Sequence, residues 1–360
     1  MTFYQAMQVG ANVMKPLIKD TKDKKLRQKY ITAFIFKNIL CLIFCILVVS
    51  SFGKLFGNEN SIVGVVTILG VLTFRFSNID FDVKQSAFTL FGVFCIFMVG
   101  PYTANLVGPI SRSIINFIFI MTILILTCHN EVLSNQSILI LSYLILYGYE
   151  TNDMNVLINR VIALALGGII VASIFYIKQR NVKFENKFSD IIRDVNLSND
   201  RTKWQLKLAV GICSSMLIGD LLHFPKTMWI GIACMSIIQP NKELVEFRFK
   251  NRILFTILGC LLYFIIYSFI PDGFKSLLGM LGGIMVGFSA TYQWQVIFNS
   301  FGGLTSAVPA LGLEGALITR LLNGCFGSIY SRVYDRIFDI IHEKIISRNQ
   351  IEQVTTNGEI

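Results

Sequence analysis

Long apolar runs separated by short polar stretches recur along almost the whole chain. An α-helix needs about 20 apolar residues to cross a bilayer without a break, and many runs approach this length. The pattern predicts an all-α, polytopic membrane protein with about twelve transmembrane segments, six in each half. The predicted segments are Ile31–Phe52, Ile62–Phe74, Ser86–Asn105, Ile114–Cys128, Ser137–Tyr149 and Leu157–Ile177, followed by Lys207–Leu222, Met228–Ile238, Ile253–Ile270, Leu277–Ala290, Val296–Leu311 and Leu317–Tyr334.

Two of these segments are too short to cross unbroken, and each is the second in its half. The one that ends at Ile238 runs into Gln239, Pro240 and Asn241, where the proline cannot continue a regular helix. Paired short or interrupted segments indicate a transporter's binding site. We therefore expect Gln239, Pro240 and Asn241 to contact substrate, although ends of tilted helices would give the same pattern.

The two halves also share short sequences in the same order. The tetrapeptide Leu-Ile-Asn-Arg ends at Arg160, and Leu-Ile-Thr-Arg ends at Arg320; Gly167 and Gly327 each follow seven residues later. These matches indicate a duplication. Because each half has an even number of segments, the two six-helix repeats are expected to run parallel, with a pseudo-twofold axis along the membrane normal.

Polar stretches divide the chain into five regions. We predict a cytoplasmic N-terminal segment (1–30), a first repeat (31–178), a cytoplasmic linker (179–203), a second repeat (204–340) and a cytoplasmic tail (341–360). In the N-terminal segment the apolar residues recur every three or four positions, which predicts a short amphipathic helix on the inner leaflet. These residues are Phe3, Met7, Ala11, Met14 and Ile18.

Composition and charge agree with a membrane protein. The 360 residues are 54% hydrophobic and 15% charged, with a net charge of +10, whereas soluble domains carry about 25% charged residues. The Lys and Arg residues lie beside the apolar runs, as the positive-inside rule requires, so no nucleic-acid partner is expected. The rule places both termini in the cytoplasm of a bacterial inner membrane, and no cleavable signal peptide is visible.

Four cations stand at or just inside the ends of apolar runs, at matching places in the two halves: Lys37, Lys207, Arg160 and Arg320. Burying such a charge at mid-helix costs about 3 kcal/mol or more. The cost is tolerated beside a watery cavity or a carboxylate, so we expect these residues to bind substrate. Arg suits a carboxylate because its planar fork donates two parallel hydrogen bonds. The alternative is that each side chain reaches the headgroups.

Acidic residues near membrane depth are few. Asp220 and Glu314 lie near predicted outer ends of segments, where they are expected to pair with the arginines or carry protons; for Glu314 a solvated position in an outer loop is the alternative. The 8 cysteines form no C-x-x-C, no phosphate-binding G-x-x-x-x-G-K-[ST] motif is present, and no catalytic set stands out. We therefore expect no enzyme activity, no cofactor and no metal.

Met228, Trp229 and Ile230, followed by Gln239-Pro240 and then Arg252 and Gly259, resemble the fusaric acid resistance-type (FUSC) membrane proteins and aromatic acid exporters. Arg320 followed by Gly327 fits the last-span pattern of that family. The resemblance implies export of aromatic carboxylates or related organic anions across the inner membrane, with Trp229 at the binding site. It leaves open a homo-oligomer or accessory subunits, because the large cytoplasmic regions common in the family are missing here.

Two alternatives stay open beside transport. Plant malate channels are similar in having six-span bundles with pore arginines, so a passive anion channel is one. A non-transporting membrane scaffold is the other, and it predicts that Arg160→Ala and Arg320→Ala leave the phenotype unchanged.

Overall fold

The computed structural model describes the backbone of residues 1–357 and the side chains of residues 1–341. This part of the chain is helical, with no β-strand. The α-helices are α1 (Phe3–Gln8), α2 (Ala11–Asp20), α3 (Lys24–Phe56), α4 (Ser61–Phe74), α5 (Val83–Asn105), α6 (Pro109–Thr127), α7 (Gln136–Gly148), α8 (Met154–Gln179), α9 (Phe188–Arg193), α10 (Asp200–Leu221), α11 (Met228–Ile237), α12 (Lys242–Phe269), α13 (Leu278–Phe288) and α14 (Tyr292–Asn357).

Six of the described helices are long and apolar enough to cross a membrane: α3, α5, α6, α8, α12 and α14 over residues 292–341. The helices α4, α7 and α11 are apolar but shorter. Each of the twelve predicted segments lies on one of these helices or on α10 or α13. The all-helical membrane class is thus confirmed, while the count of twelve spans and the duplication stay predictions.

The N-terminal segment differs from the single amphipathic helix that its apolar spacing predicts. It forms two helices, α1 and α2, because the chain is extended at Val9 and Gly10. The buried side chains of Ala6 and Met14 pack against α3 beside Tyr30. The apolar face of this segment is therefore covered at least in part by protein.

The short helix α11 ends where its sequence predicts. The helix stops at Ile237, three residues before Pro240, and the chain turns directly into α12. The Asn241 side chain caps α12 by accepting a hydrogen bond from the Glu243 backbone at 2.8 Å, which satisfies one free N–H of the first turn.

The last helix is broken by a change of backbone direction at Gly312, whose φ of 70° lies in the left-handed region that glycine tolerates best. We refer to residues 292–311 as the first arm of α14 and to residues 313–341 as its second arm. These arms carry the eleventh and twelfth predicted segments. Most of the predicted tail, 341–360, lies outside the described side chains.

Each arginine-bearing helix packs closely on the short helix of its own half. A β-carbon added at Gly167 of α8 would stand 2.3 Å from the Thr67 hydroxyl of α4. One added at Gly327 would stand 2.8 Å from Ala233 of α11. Both separations are shorter than van der Waals contact, so glycine at these positions allows each long helix to lie against the short one.

The two halves meet along α6 with α10, along α7 with α11 and, over fewer residues, along α3 with α13, where the Phe34 and Phe288 ring centres are 5.4 Å apart. In the first contact the Gln205 amide of α10 donates to the Leu124 and Cys128 carbonyls, each at 3.1 Å. In the second, Leu144 lies against Gly231. Between the halves, the predicted linker contains α9 and returns to the first half, where the Phe188 backbone donates to Gln85 at 2.7 Å.

Candidate functional site

Arg160 lies in the second turn of α8, and its side chain points back toward the start of α4. Its Nε donates to the Asn60 Oδ1 at 3.0 Å, and its Nη1 donates to the Tyr149 carbonyl. The residue is only 9% exposed. Both acceptors are neutral, and Arg160 forms no ion pair with a described carboxylate. The guanidinium is therefore hydrogen-bonded, but its positive charge is not neutralised by a contacting carboxylate.

A small cleft opens beside Arg160, with a volume of about 30 Å³. Its polar wall includes Asn105, Glu150 and Asn152, and its apolar wall includes Phe97. A volume of this size holds one or two water molecules and falls far below the ~300 Å³ of a small-ligand pocket. The cleft can hydrate the arginine, and it would have to widen to admit an aromatic acid.

Arg320 occupies the matching place in the second arm of α14. It is also 9% exposed, and its guanidinium carbon lies 5.0 Å from the centre of the Trp229 ring. The same group lies 3.6 Å from where a β-carbon would stand at Gly303. Its Nε finds no hydrogen-bond acceptor among the described residues. Arg320 thus holds a buried charge whose only described partner is an aromatic face.

The two lysines differ from the arginines in their partners. Lys207 of α10 forms ion pairs with Asp335 and, at 2.8 Å, with Asp339, both from the second arm of α14. Lys37 of α3 donates to the Val9 carbonyl at 2.7 Å, where it caps the end of α1. A substrate anion would have to displace a carboxylate at Lys207 and a carbonyl at Lys37.

The residues around the proline make local contacts. The Gln239 amide donates back to the carbonyls of Met235 at 3.2 Å and of Ile238 at 3.2 Å. Pro240 and Asn241 form the turn into α12. These three residues complete the end of α11 and the start of α12, and their contact with substrate stays a prediction.

Asp220 lies at the contact between the two halves. Its carboxylate accepts from the Thr227 hydroxyl at 2.8 Å and pairs with Arg112 of α6 at 3.5 Å. Asp220 therefore forms an ion pair, but its cation is Arg112 in the first turn of α6 rather than Arg160 or Arg320. Glu314 is exposed at the start of the second arm of α14 and forms no ion pair with a described residue.

The structure brings Arg320 and Trp229 together, whereas the described contacts of Arg160 and Arg320 lie in different halves of the chain. Sequence reasoning missed Asn60 and the Tyr149 carbonyl as partners of Arg160. An asparagine just before an apolar helix reads as a helix cap, and nothing in its local sequence points to an arginine 100 residues away. The position of Arg112 at the start of a helix could have been predicted, because Pro109 favours the first helical turn.

Comparisons with known proteins find similarity over part of the chain. An uncharacterized protein of Synechocystis sp. is 29% identical over 140 residues, which cover 37% of this chain and 18% of that protein. The match thus spans less than a fifth of that relative. No solved structure matches the chain. Residues 212–333 match the family described as fusaric acid resistance protein-like, and this match, over the region that contains Trp229 and Arg320, supports membership of the FUSC family.

Proposed function

We propose that the chain is a secondary transporter of the bacterial inner membrane that exports aromatic carboxylates or related organic anions. Arg160 and Arg320 bind the carboxylate, and Trp229 stacks on its aromatic ring. The family match over residues 212–333 supports a role in transport. It gives no substrate, so the aromatic acid rests on the resemblance and on the chemistry of the two arginines.

The observation that carries the proposal is the buried charge of Arg320. Taking an ion out of water costs several kcal/mol even after relaxation, and no carboxylate among the described side chains offsets the cost. The Trp229 ring at 5.0 Å returns about 0.5–2 kcal/mol. A bound organic anion would supply the missing negative charge, and its ring would extend the aromatic contact.

We further propose that the chain consists of two parallel six-helix bundles. Arg160 and Arg320 each precede by seven residues a glycine that lies against the short helix of its half. The helix order α3 to α8 corresponds to the order α10 to α13 followed by the two arms of α14. Both termini would then lie in the cytoplasm, and each arginine would lie in the outer part of its bundle. Lys37 and Lys207 would lie toward the inner side, where an exported anion arrives first.

The size of the cleft favours a transporter over an open channel. The space beside Arg160 is about 30 Å³, so an aromatic acid enters only after the helices move apart. A carrier that alternates between closed and open states has this property, whereas a passive pore needs a continuous conduit.

The test is flux of radiolabelled benzoate in proteoliposomes, with and without a pH gradient. We expect accumulation that responds to the gradient in wild type, and a reduction of at least about tenfold in Arg160→Gln and Arg320→Gln, since one charge-assisted contact contributes ~1.5–3 kcal/mol. Arg180→Gln, at an exposed arginine after α8, serves as the control. Equal flux in all four proteins would overturn the proposal, and ohmic current without coupling would point to the channel.

A further inference from the structure

The first arm of α14 carries a polar stripe along one face. We define the α14 stripe as Gln295, Asn299, Gly302 and Ser306, which recur every three or four residues and so share a side of the helix. Asn299, Gly302 and Ser306 are exposed, and Gln295 is half-buried. The opposite face of the arm is apolar and buried, as at Phe301.

The stripe lies at membrane depth. Asn299 stands seven residues into a helix that is long and apolar enough to cross the bilayer, which places it about 10 Å from the start of that helix. The side-chain amides of Gln295 and Asn299 donate to no described protein group. An amide that faces acyl chains without a hydrogen bond costs about 2–7 kcal/mol, so these groups require water or another polar partner.

The stripe face is open because the two sides of the molecule differ. On one side α7 packs on α11, with Leu144 against Gly231 and Gly148 against Met228. In the two-bundle arrangement α4 corresponds to α11, and the first arm of α14 corresponds to α7. Among the described residues, α4 and this arm do not pack along each other as that pair does. On this side α3 packs on α13, but α4 does not cover the first arm of α14, and Asn299, Gly302 and Ser306 stay exposed.

The α14 stripe also lies next to the buried Arg320. Gly303 follows Gly302 in the chain and lies under the Arg320 guanidinium. Ser306, one turn farther along, is exposed and directs its hydroxyl to the Gly303 carbonyl at 2.8 Å. Amide and hydroxyl groups therefore extend from the exposed face of the arm to the Arg320 guanidinium, which pairs with no carboxylate among the described residues.

We propose that the α14 stripe lines a water-filled pathway that leads an organic anion along the first arm of α14 to Arg320. This inference rests on the proposed transport function and names its route. The Gln295 and Asn299 amides replace water around the carboxylate by donating hydrogen bonds.

Accessibility of introduced cysteines tests the pathway. Asn299→Cys, Gly302→Cys and Ser306→Cys are made singly in the full chain and treated in membrane vesicles with a charged, membrane-impermeant methanethiosulfonate. Matched controls are Ile318→Cys and Ile329→Cys, on exposed apolar positions of the second arm (57% and 52% exposed), and wild type gives the background of native thiols. Only a thiolate reacts, and a thiol ionises in water and not in lipid.

We expect the stripe cysteines to react at least about tenfold faster than the two controls, because only they reach water. Gly302→Cys is the safest variant for folding, since no atom lies within 4 Å of its β-carbon position. Stripe cysteines that react as slowly as the controls would overturn the pathway. Disulfides formed between copies at Asn299→Cys, with protection from the reagent, would also overturn it and assign the stripe to a dimer contact.

The labelling is independent of the flux assay. If benzoate flux fails while the stripe cysteines label rapidly, the pathway stands and its cargo is another anion. If flux depends on Arg320 while the stripe is unreactive, the transport proposal stands and the route lies elsewhere.

Discussion

At the scale of single residues, what separates the four cations is the charge of their partners. Lys207 contacts two carboxylates, whereas Arg160 contacts neutral oxygens and Arg320 an aromatic ring. The sequence showed all four beside or within apolar runs. It could not show which of these charges a carboxylate neutralises, because Asp339, a partner of Lys207, lies 132 residues from it along the chain.

Arg320→Met tests whether the charge is kept for function at the expense of stability. The substitution keeps an unbranched side chain and removes a buried charge that pairs with no carboxylate in the described part of the chain. We expect the free energy of unfolding to rise by on the order of 1 kcal/mol while benzoate flux is lost. Thermal unfolding in detergent and the flux assay measure the two effects. A drop in stability with flux retained would mean that Arg320 is a structural residue.

Asn60→Asp tests the same idea at Arg160. The new carboxylate would lie 3.0 Å from Nε, where it neutralises the guanidinium, and it gives up the hydrogen bonds that the amide donates to the Phe56 and Val156 carbonyls. We expect folded protein with benzoate flux reduced at least about tenfold, in line with the loss of one charge-assisted contact. Asn116→Asp is the control, because that buried asparagine accepts from Tyr143 and forms no ion pair with a described cation.

The control should unfold more readily than Asn60→Asp, since its carboxylate has no cation nearby. The account would be wrong at this site if Asn60→Asp transported benzoate as fast as wild type.

At the scale of helices, the apolar pattern predicted well where the helices lie along the chain, and predicted poorly which other helices they pack against. The short helices α4 and α11 end at Phe74 and Ile237, within one residue of the predicted ends, because proline and polar residues interrupt the local pattern. The N-terminal segment is different. Its spacing predicted one helix on lipid, and the break at Val9 and Gly10 and the packing on α3 depend on contacts with residues far along the chain.

Lys37→Met probes the contact between α1 and α3. Removal of the ammonium frees the Val9 carbonyl at the end of α1 and should loosen the N-terminal pair by about 1 kcal/mol. We expect faster hydrogen exchange of the α1 amides, measured by mass spectrometry, and no such change in Lys25→Met, where the lysine is exposed. Unchanged exchange in both variants would rule out the capping role.

At the scale of the whole molecule, the two halves are joined more extensively on one side than on the other. On one side α6 packs on α10, and Arg112 pairs with Asp220 at 3.5 Å across that contact; on the stripe side α3 packs on α13 over fewer residues, with Phe34 against Phe288. Such an arrangement suits movement of one half against the other about the more extensive contact. Short repeated motifs in the sequence predicted the two halves. The sequence did not predict that the halves pack differently on their two sides, because those contacts join residues far apart along the chain.

A double-mutant cycle measures the energy of the Arg112–Asp220 ion pair across the contact between the halves. Arg112→Gln, Asp220→Asn and the double variant are compared by thermal unfolding. The two side chains are 24% and 11% exposed, so we expect a coupling of about 1 kcal/mol. Asp220→Asn should keep the pH dependence of benzoate flux, because this carboxylate is held in an ion pair. Loss of that dependence would make Asp220 a proton carrier.

The most direct measurement of the central claim is equilibrium binding of radiolabelled benzoate to the purified protein in detergent. We predict saturable binding to wild type, weakened at least about tenfold in Arg320→Gln and in Arg160→Gln, as a loss of ~1.4 kcal/mol or more requires. Binding to Arg180→Gln should match wild type. If both arginine variants bind benzoate as tightly as wild type, the two buried guanidinium groups do not hold the substrate, and the account fails.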